Sequence, residues 1–264
     1  MEELIFDVRP LAKVLNANDL DGQGSLVEQV YGLLRESIIN LSLPPDSALV
    51  EQEVAGVLKV SKTPIREAII RLAREGLVHV APKSGSFVTP ISLDRFFEAC
   101  FVRTQLEVGC VRRLAEQGVS MADQLRLRTL ITEQEEALRK NDDAAFFQLD
   151  ESLHRCLFDV AGLSGVWQVM NVAKAEMDRV RHLKRAFGIR QRKLVVEEHT
   201  AIIDAILDRD PERAEQALLD NIGAVDDEVT SMSENPLLLR TIEDLNKVVE
   251  LDRRSRGNKK IVKA

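Results

Sequence analysis

Apolar residues recur at helical spacing along most of this chain. Leu26, Val30, Leu33, Leu34, Ile38 and Leu41 fall on one face and predict a helix from a Ser25 cap to about Asn40. Leu43-Pro44-Pro45-Asp46 then reads as a turn that closes it. A second helix is expected over Glu51 to Leu58, with Val54, Ala55 and Leu58 inward. A third runs from about Thr63 to Glu75, where Gly76 stops it. Ser61 or Thr63 can cap this third helix, and Pro64 suits its first position, where no N–H is needed. Its apolar side carries Ile65, Ala68, Ile69, Leu72 and Ala73, which leaves Lys62, Thr63, Arg66 and Arg71 on the other. The period then changes. Leu77 to Val80 and Phe87 to Thr89 flank a turn with Pro82 and Gly85, the pattern of a β-hairpin.

Beyond the linker Thr89-Pro90-Ile91-Ser92 the pattern is helical again, with helices expected at about 93–117, 121–140, 143–160, 164–186, 190–208 and 211–231. Asp210 before Pro211 is the clearest boundary, a capping residue followed by proline at the first helical position. A last amphipathic stretch runs from Leu237 to Leu251, ahead of the basic residues Arg253 to Lys260. The expected organisation is an N-terminal extension (1–24), a winged helix-turn-helix (25–90), an all-helical bundle of six or seven helices (93–232), and a C-terminal helix with a basic tail (233–264). The apolar patch from Leu4 to Leu15 packs on the body or a partner, or belongs to a disordered leader. The basic tail reads as solvated, with phosphate contact or a subunit-swapped helix as alternatives.

Composition supports a mainly α fold. Hydrophobic residues make up 45% of the 264 and aromatics 4%, so the core is built from Leu, Val, Ile and Ala. The net charge of −7 argues against a nucleic-acid binder on bulk charge alone. Distribution overrides it: Lys59, Lys62, Arg66, Arg71, Arg74 and Lys83 are opposed locally by only Glu67 and Glu75. A helix start bearing small hydroxyls, a Lys and an Arg suits a DNA major groove. The cysteines Cys100, Cys110 and Cys156 form no CxxC pair, and no apolar run is long enough to span a bilayer. A cytoplasmic protein with reduced thiols and no membrane partner is expected.

The order of elements resembles the GntR superfamily of bacterial repressors. So do Leu-Pro-Pro-x5-Glu-x-Glu-Val-Ala, Val-Ser-Lys-Thr-Pro-Ile-Arg-Glu-Ala, Arg-Leu-Ala-Arg-Glu-Gly-Leu-Val and Gly-Ser-Phe-Val, across residues 26–90. The resemblance implies operator contacts from Ser61, Lys62, Thr63, Arg66 and the wing glycine Gly85. Two positions depart from the family pattern. Gln52 stands where many members carry a phosphate-binding Arg, and Lys62 where Arg is usual. Lysine cannot make arginine's two-pronged contact to guanine.

The chemistry of the second region rests on few residues, since the chain has 4 histidines. Asp150 and His154 share a helical face, and His199 follows Glu197-Glu198 on another helix. That spacing fits a divalent cation site of carboxylate and imidazole ligands, or two hydrogen-bonded core histidines. Arg103-x3-Glu107, Asp150-x3-His154 and Glu198-His199-x2-Ile202-x2-Ala205-Ile206 resemble the FadR-like branch with its FCD effector domain. That resemblance implies a metal held by one Asp and three His, matched by Asp150, His154 and His199, with Asn221 at the fourth position. Zinc comes first, with nickel and manganese as alternatives. It also implies a small carboxylate effector beside the metal, with Arg103 and Arg179 lining its pocket. An internal Arg103–Glu107 pair is the plainer account of the first, and Arg181 and Lys184 read as a solvated basic face.

The function expected is a homodimeric, effector-controlled transcription regulator, a repressor, on double-stranded operator DNA. The alternative is a metal-dependent enzyme built on Asp150, His154 and His199. No HExxH, nucleophile motif or phosphate loop supports it.

Overall fold

The computed structural model describes residues 10–20, 22–187, 192–223, 230 and 232–246. The basic tail from Arg253 to Lys260 lies outside them. The described chain divides into two compact units, and the division does not follow sequence order. Of the described residues, the first contains those up to Arg95, the segment Ala175–Phe187 and those from Asn235 onward; the second contains Phe96–Lys174 and those between Phe187 and Asn235.

In the first unit a short helix, α1 (Leu11–Val14), precedes a 3-10 turn, and Leu15 is buried in the unit's core. Of the two readings of this leader, packing on the body holds for the part described. α2 (Leu26–Ile39) starts on a reciprocal capping box: the Ser25 hydroxyl accepts from Glu28 N, and the Glu28 carboxylate accepts from Ser25 N. α3 (Glu51–Leu58) ends at Lys59, which adopts a left-handed φ of 56° and swings the chain into α4 (Lys62–Arg74). The buried faces of α2, α3 and α4 meet around Leu34, Ile38, Val54, Leu58, Ile65, Ala68 and Leu72.

Two details of α4 differ from expectation. Ser61 is its N-cap residue, yet no side chain caps the helix, and Pro64 is its third residue, not its first. The proline is tolerated because the first-turn N–H groups have no intrahelical partner in any helix. The C-terminus is built as a Schellman motif, Leu77 N donating to Leu72 O at 3.0 Å and Gly76 N to Ala73 O at 3.0 Å. Gly76 has φ 73°, and a Cβ there would run into the Arg95 guanidinium. That guanidinium caps the helix, donating to Gly76 O at 2.9 Å and Glu75 O at 2.6 Å.

The wing is β1 (Val78–Ala81) paired antiparallel with β2 (Gly85–Val88), in the register Val78↔Val88 to Ala81↔Gly85. Ala48 adds an isolated bridge to Phe87. The strands sit one residue later and two residues earlier at their starts than the apolar runs suggested, because Leu77 is spent on the Schellman turn and Gly85 pairs with Ala81.

α9 (Ala175–Ala186) also belongs to this unit. Arg179 on it is 0% exposed and donates to Thr89 O (2.9 Å), Pro90 O (3.3 Å) and Glu176 Oε2 (3.2 Å). Glu176 in turn accepts from Ser92 N at 2.7 Å. Residues 236–246 are helical, with Leu238, Ile242 and Leu245 buried. Asn246 holds the main chain of Ile91 from both sides, accepting from its N and donating to its O, each at 2.9 Å.

The elements of the second unit among the described residues are helices joined by short turns: α5 (Leu93–Gln117, from Phe96 onward), α6 (Met121–Lys140), α7 (Asp143–Val160), α8 (Ser164–Ala173), α10 (Arg192–Leu207) and α11 (Pro211–Ile222). Ser120, Asp142 and Asp210 cap α6, α7 and α11 with side-chain oxygens. The one helix expected over 164–186 is two, separated at Lys174. Lys174 is buried there, with its ammonium 2.8 Å from Glu151 Oε2 and over the Trp167 ring. The last expected helix ends at Ile222, and Gly223 follows with φ 78°. The core is a single apolar cluster including Val111, Leu127, Leu157, Met170, Ile203 and Leu218. Among the described residues no helix is long and apolar enough to cross a membrane.

Candidate functional site

In the first unit Gln52, Ser61, Lys62, Thr63, Arg66 and Gly85 are all exposed. The uncapped start of α4 therefore leaves the Ser61 and Thr63 hydroxyls outward. Two α3 residues hold two α4 residues. Glu51 accepts from Arg66 through both carboxylate oxygens, Nε at 3.0 Å and Nη2 at 2.8 Å. Gln52 Oε1 accepts from Lys62 Nζ at 3.2 Å. The Arg66 bond holds the Glu51 carboxyl below its ordinary range and raises the guanidinium's own pKa.

Other charges near α4 are committed inward. Glu75 accepts from the Tyr31 hydroxyl and from Arg35 Nε, and the Arg71 guanidinium lies over the Tyr31 ring. Burial first, then the bond to Glu75, pushes the Tyr31 phenol up to about 12. Glu75 is thereby neutralised inside the protein.

In the second unit Asp150 and His154 on α7 and His199 on α10 come together, all buried, with one ligating atom from each within 4.8 Å of the others. The histidine rings meet edge to face at 5.3 Å between centroids. His199 Nε2 lies 3.5 Å from Asp150 Oδ1. Metal–ligand bonds of 2.0–2.1 Å in a tetrahedron put neighbouring ligand atoms about 3.3 Å apart, close to that separation.

Each imidazole is held from behind. His154 Nδ1 donates to Glu107 Oε2 at 2.6 Å, and His199 Nδ1 donates to Gln134 Oε1 at 2.9 Å. A proton on each Nδ1 leaves Nε2 as an acceptor, the arrangement that outer partners impose at histidine–metal sites, and at His154 that lone pair takes a bond from Arg103 which a cation would have to displace. Arg103 stands at the same edge of His154, with Nη2 3.2 Å from Nε2, and its Nε donates to Glu107 Oε1 at 2.6 Å. Burial pushes the Glu107 carboxyl up, but the Arg103 and His154 beside it outweigh this and hold it at about 2. Burial, and then the Glu107 charge, drives the neighbouring Cys110 thiol up to about 12.

Asn221 on α11 is buried and donates through Nδ2 to Glu198 Oε2 at 3.0 Å. The Arg103–Glu107 pair expected as the plainer account is present, and it also holds His154. Arg179, the other expected pocket arginine, lies in the first unit with its guanidinium on the linker carbonyls. Gln134 and the second role of Glu107 were missed. Gln134 carried a signal, since it falls on the buried stripe of α6 with Leu127, Ile131 and Ala137. A polar residue on such a stripe needs a partner.

Comparison with known proteins agrees with both units. Residues 26–88 match the family of bacterial regulatory proteins called gntR, and residues 98–224 match the FCD domain. An uncharacterised HTH-type transcriptional regulator of Streptomyces ambofaciens is 36% identical over 201 residues, covering 76% of this chain and 83% of its own. The HTH-type transcriptional repressor RspR of Escherichia coli is 29% identical over 202 residues, 76% of this chain and 88% of its own. Among solved structures, E. coli McbR/YncC shares the fold with a TM-score of 0.68 at 20% identity, covering 80% of this chain and 99% of that one. With its exposed recognition helix and wing in one unit and an FCD domain in the other, this chain belongs to the GntR family and is a DNA-binding transcription regulator, not an enzyme.

Proposed function

We propose that the protein is a homodimeric repressor whose operator binding responds to a small carboxylate effector held beside a divalent cation. The observation that carries this reading is the buried Asp150, His154 and His199 cluster, with each histidine's Nδ1 fixed by a separate acceptor. Two imidazoles and a carboxylate suit zinc first, then nickel or manganese. The cation would give the pocket a Lewis-acidic anchor for an effector oxygen.

Around that anchor the protein's own groups have distinct tasks. Asp150, His154 and His199 would hold the cation, and Asn221, whose nitrogen is on Glu198, would offer its amide oxygen as the fourth ligand. An amide oxygen is a weaker ligand than imidazole, which leaves the fourth position exchangeable with effector or water. Arg103 meets a carboxylate that reaches His154 and can hold it in two-pronged fashion. Arg179 in this reading serves the linker carbonyls rather than the effector.

A homodimer follows from the reader itself, because each winged helix takes one half of a near-palindrome. Ligand coupling in such systems is typically ~1–3 kcal/mol.

The test is a thermal-shift titration of chelator-treated protein with zinc, nickel and manganese, then with small carboxylic acids. A ligand confined to the folded state raises the midpoint. One of the metals should raise it in the wild type and in neither H154A nor H199A, and a carboxylic acid should add to the shift only with metal present. A domain that dimerises but responds to neither class would overturn the reading.

A further inference from the structure

We propose that Glu51 is a positioning residue for DNA recognition: it fixes the Arg66 guanidinium so that its outer edge meets a pair of hydrogen-bond acceptors on the operator. Glu51 is the first residue of α3, where the helix dipole favours a carboxylate, and it is itself half-buried. Arg66 is on the second turn of the recognition helix with 63% of its side chain exposed. The two-pronged bond from Nε and Nη2 to Glu51 uses two of the five guanidinium donors. One Nη1 hydrogen and the second Nη2 hydrogen form the outward edge, the other Nη1 hydrogen lies back beside Cδ, and no described residue accepts from them.

That edge is a parallel pair of N–H donors. It matches guanine O6 and N7 in the major groove and equally two phosphate oxygens. A long exposed arginine would otherwise lose its rotamer freedom on binding DNA. Here that ordering is done in advance by a neighbour on α3, which lowers the entropic cost of the contact. The same carboxylate near DNA could instead repel phosphate or mask Arg66. The two roles predict opposite signs.

The experiment uses the full-length protein and a duplex enriched by the wild type from a random pool, with binding read by fluorescence anisotropy. E51Q keeps the shape and removes the charge that locks the guanidinium. Positioning predicts that E51Q binds the enriched duplex about tenfold more weakly. R66A should lose at least as much, and E51Q/R66A should be no weaker than R66A alone. E53Q is the charge control, because Glu53 is exposed on the same helix and pairs with no described residue; it should bind unchanged or slightly tighter. If the acceptors are a guanine edge, E51Q also loses discrimination against a base change at one position per half-site. If they are phosphates, a scrambled duplex weakens in parallel and the salt slope falls by about one. E51Q binding as tightly as E53Q, or tighter than the wild type, with an unchanged melting midpoint, overturns the proposal.

Discussion

Lys62 and Gln52, the two positions at which the reading head departs from the arginines usual in its family, touch one another: Lys62 Nζ donates to Gln52 Oε1 at 3.2 Å. Two arginines there would repel. In the observed pair the ammonium donates and the amide oxygen accepts. Because both side chains are exposed, the coupling should be small, about 0.5–1 kcal/mol. A double-mutant cycle with Q52A, K62A and the double variant on an enriched operator should show each single change weakening binding and the pair losing less than the sum. Strict additivity would mean the two side chains act on DNA independently.

Glu107 should govern the acid limb of stability. Its carboxyl is held at about 2 in the folded protein, against an ordinary value of 4.5. A depressed folded pKa contributes stability that is complete above the unfolded value and lost as pH falls from about 4.5 toward 2. In chelator-treated protein, urea unfolding followed over that window should show this loss in the wild type and not in E107Q. At neutral pH E107Q should be less stable by ~3–5 kcal/mol, because Arg103 is left buried without its counter-charge. Parallel pH curves for the two proteins would contradict the assignment.

Gln134 should matter through His199. Gln134→Met preserves the bulk of the side chain and removes the acceptor for His199 Nδ1. Metal affinity should fall about tenfold to a hundredfold by calorimetric titration, the range found for outer-shell changes at such sites. An unchanged affinity would make Gln134 a packing residue only.

Arg179 should be structural. R179M takes donors from Thr89 O and Pro90 O and leaves Glu176 buried, so stability should drop by ~3–5 kcal/mol. Measured by urea unfolding, a loss under about 1 kcal/mol would contradict the view that this guanidinium anchors the linker.

Much of this was legible in the sequence for identifiable physical reasons. Gly76, Asn141 and Asp210-Pro211 are backbone signals, and the helices they bound begin or end beside them. Asp150, His154 and His199 were legible because helical spacing puts the first two on one face and the chain has few other imidazoles. The break at Lys174 was not. Neither Gly nor Pro marks it, and the Lys174 found there is buried against Glu151 and Trp167, contacts that spacing along the chain does not reveal. Arg179 was misplaced for a related reason. Apolar periodicity cannot foresee that a charged side chain will be buried when its partners are main-chain carbonyls 89 and 90 residues away. The outward Glu51–Arg66 bond was missed because it joins two helices at 15 residues' separation, and neither residue is unusual alone.

The most direct test of the central claim is the metal content of the purified full-length protein by elemental analysis, beside H154A and H199A. The account predicts close to one divalent ion per chain in the wild type and loss of it in both variants. A content far below one per chain, the same in all three proteins, would contradict it.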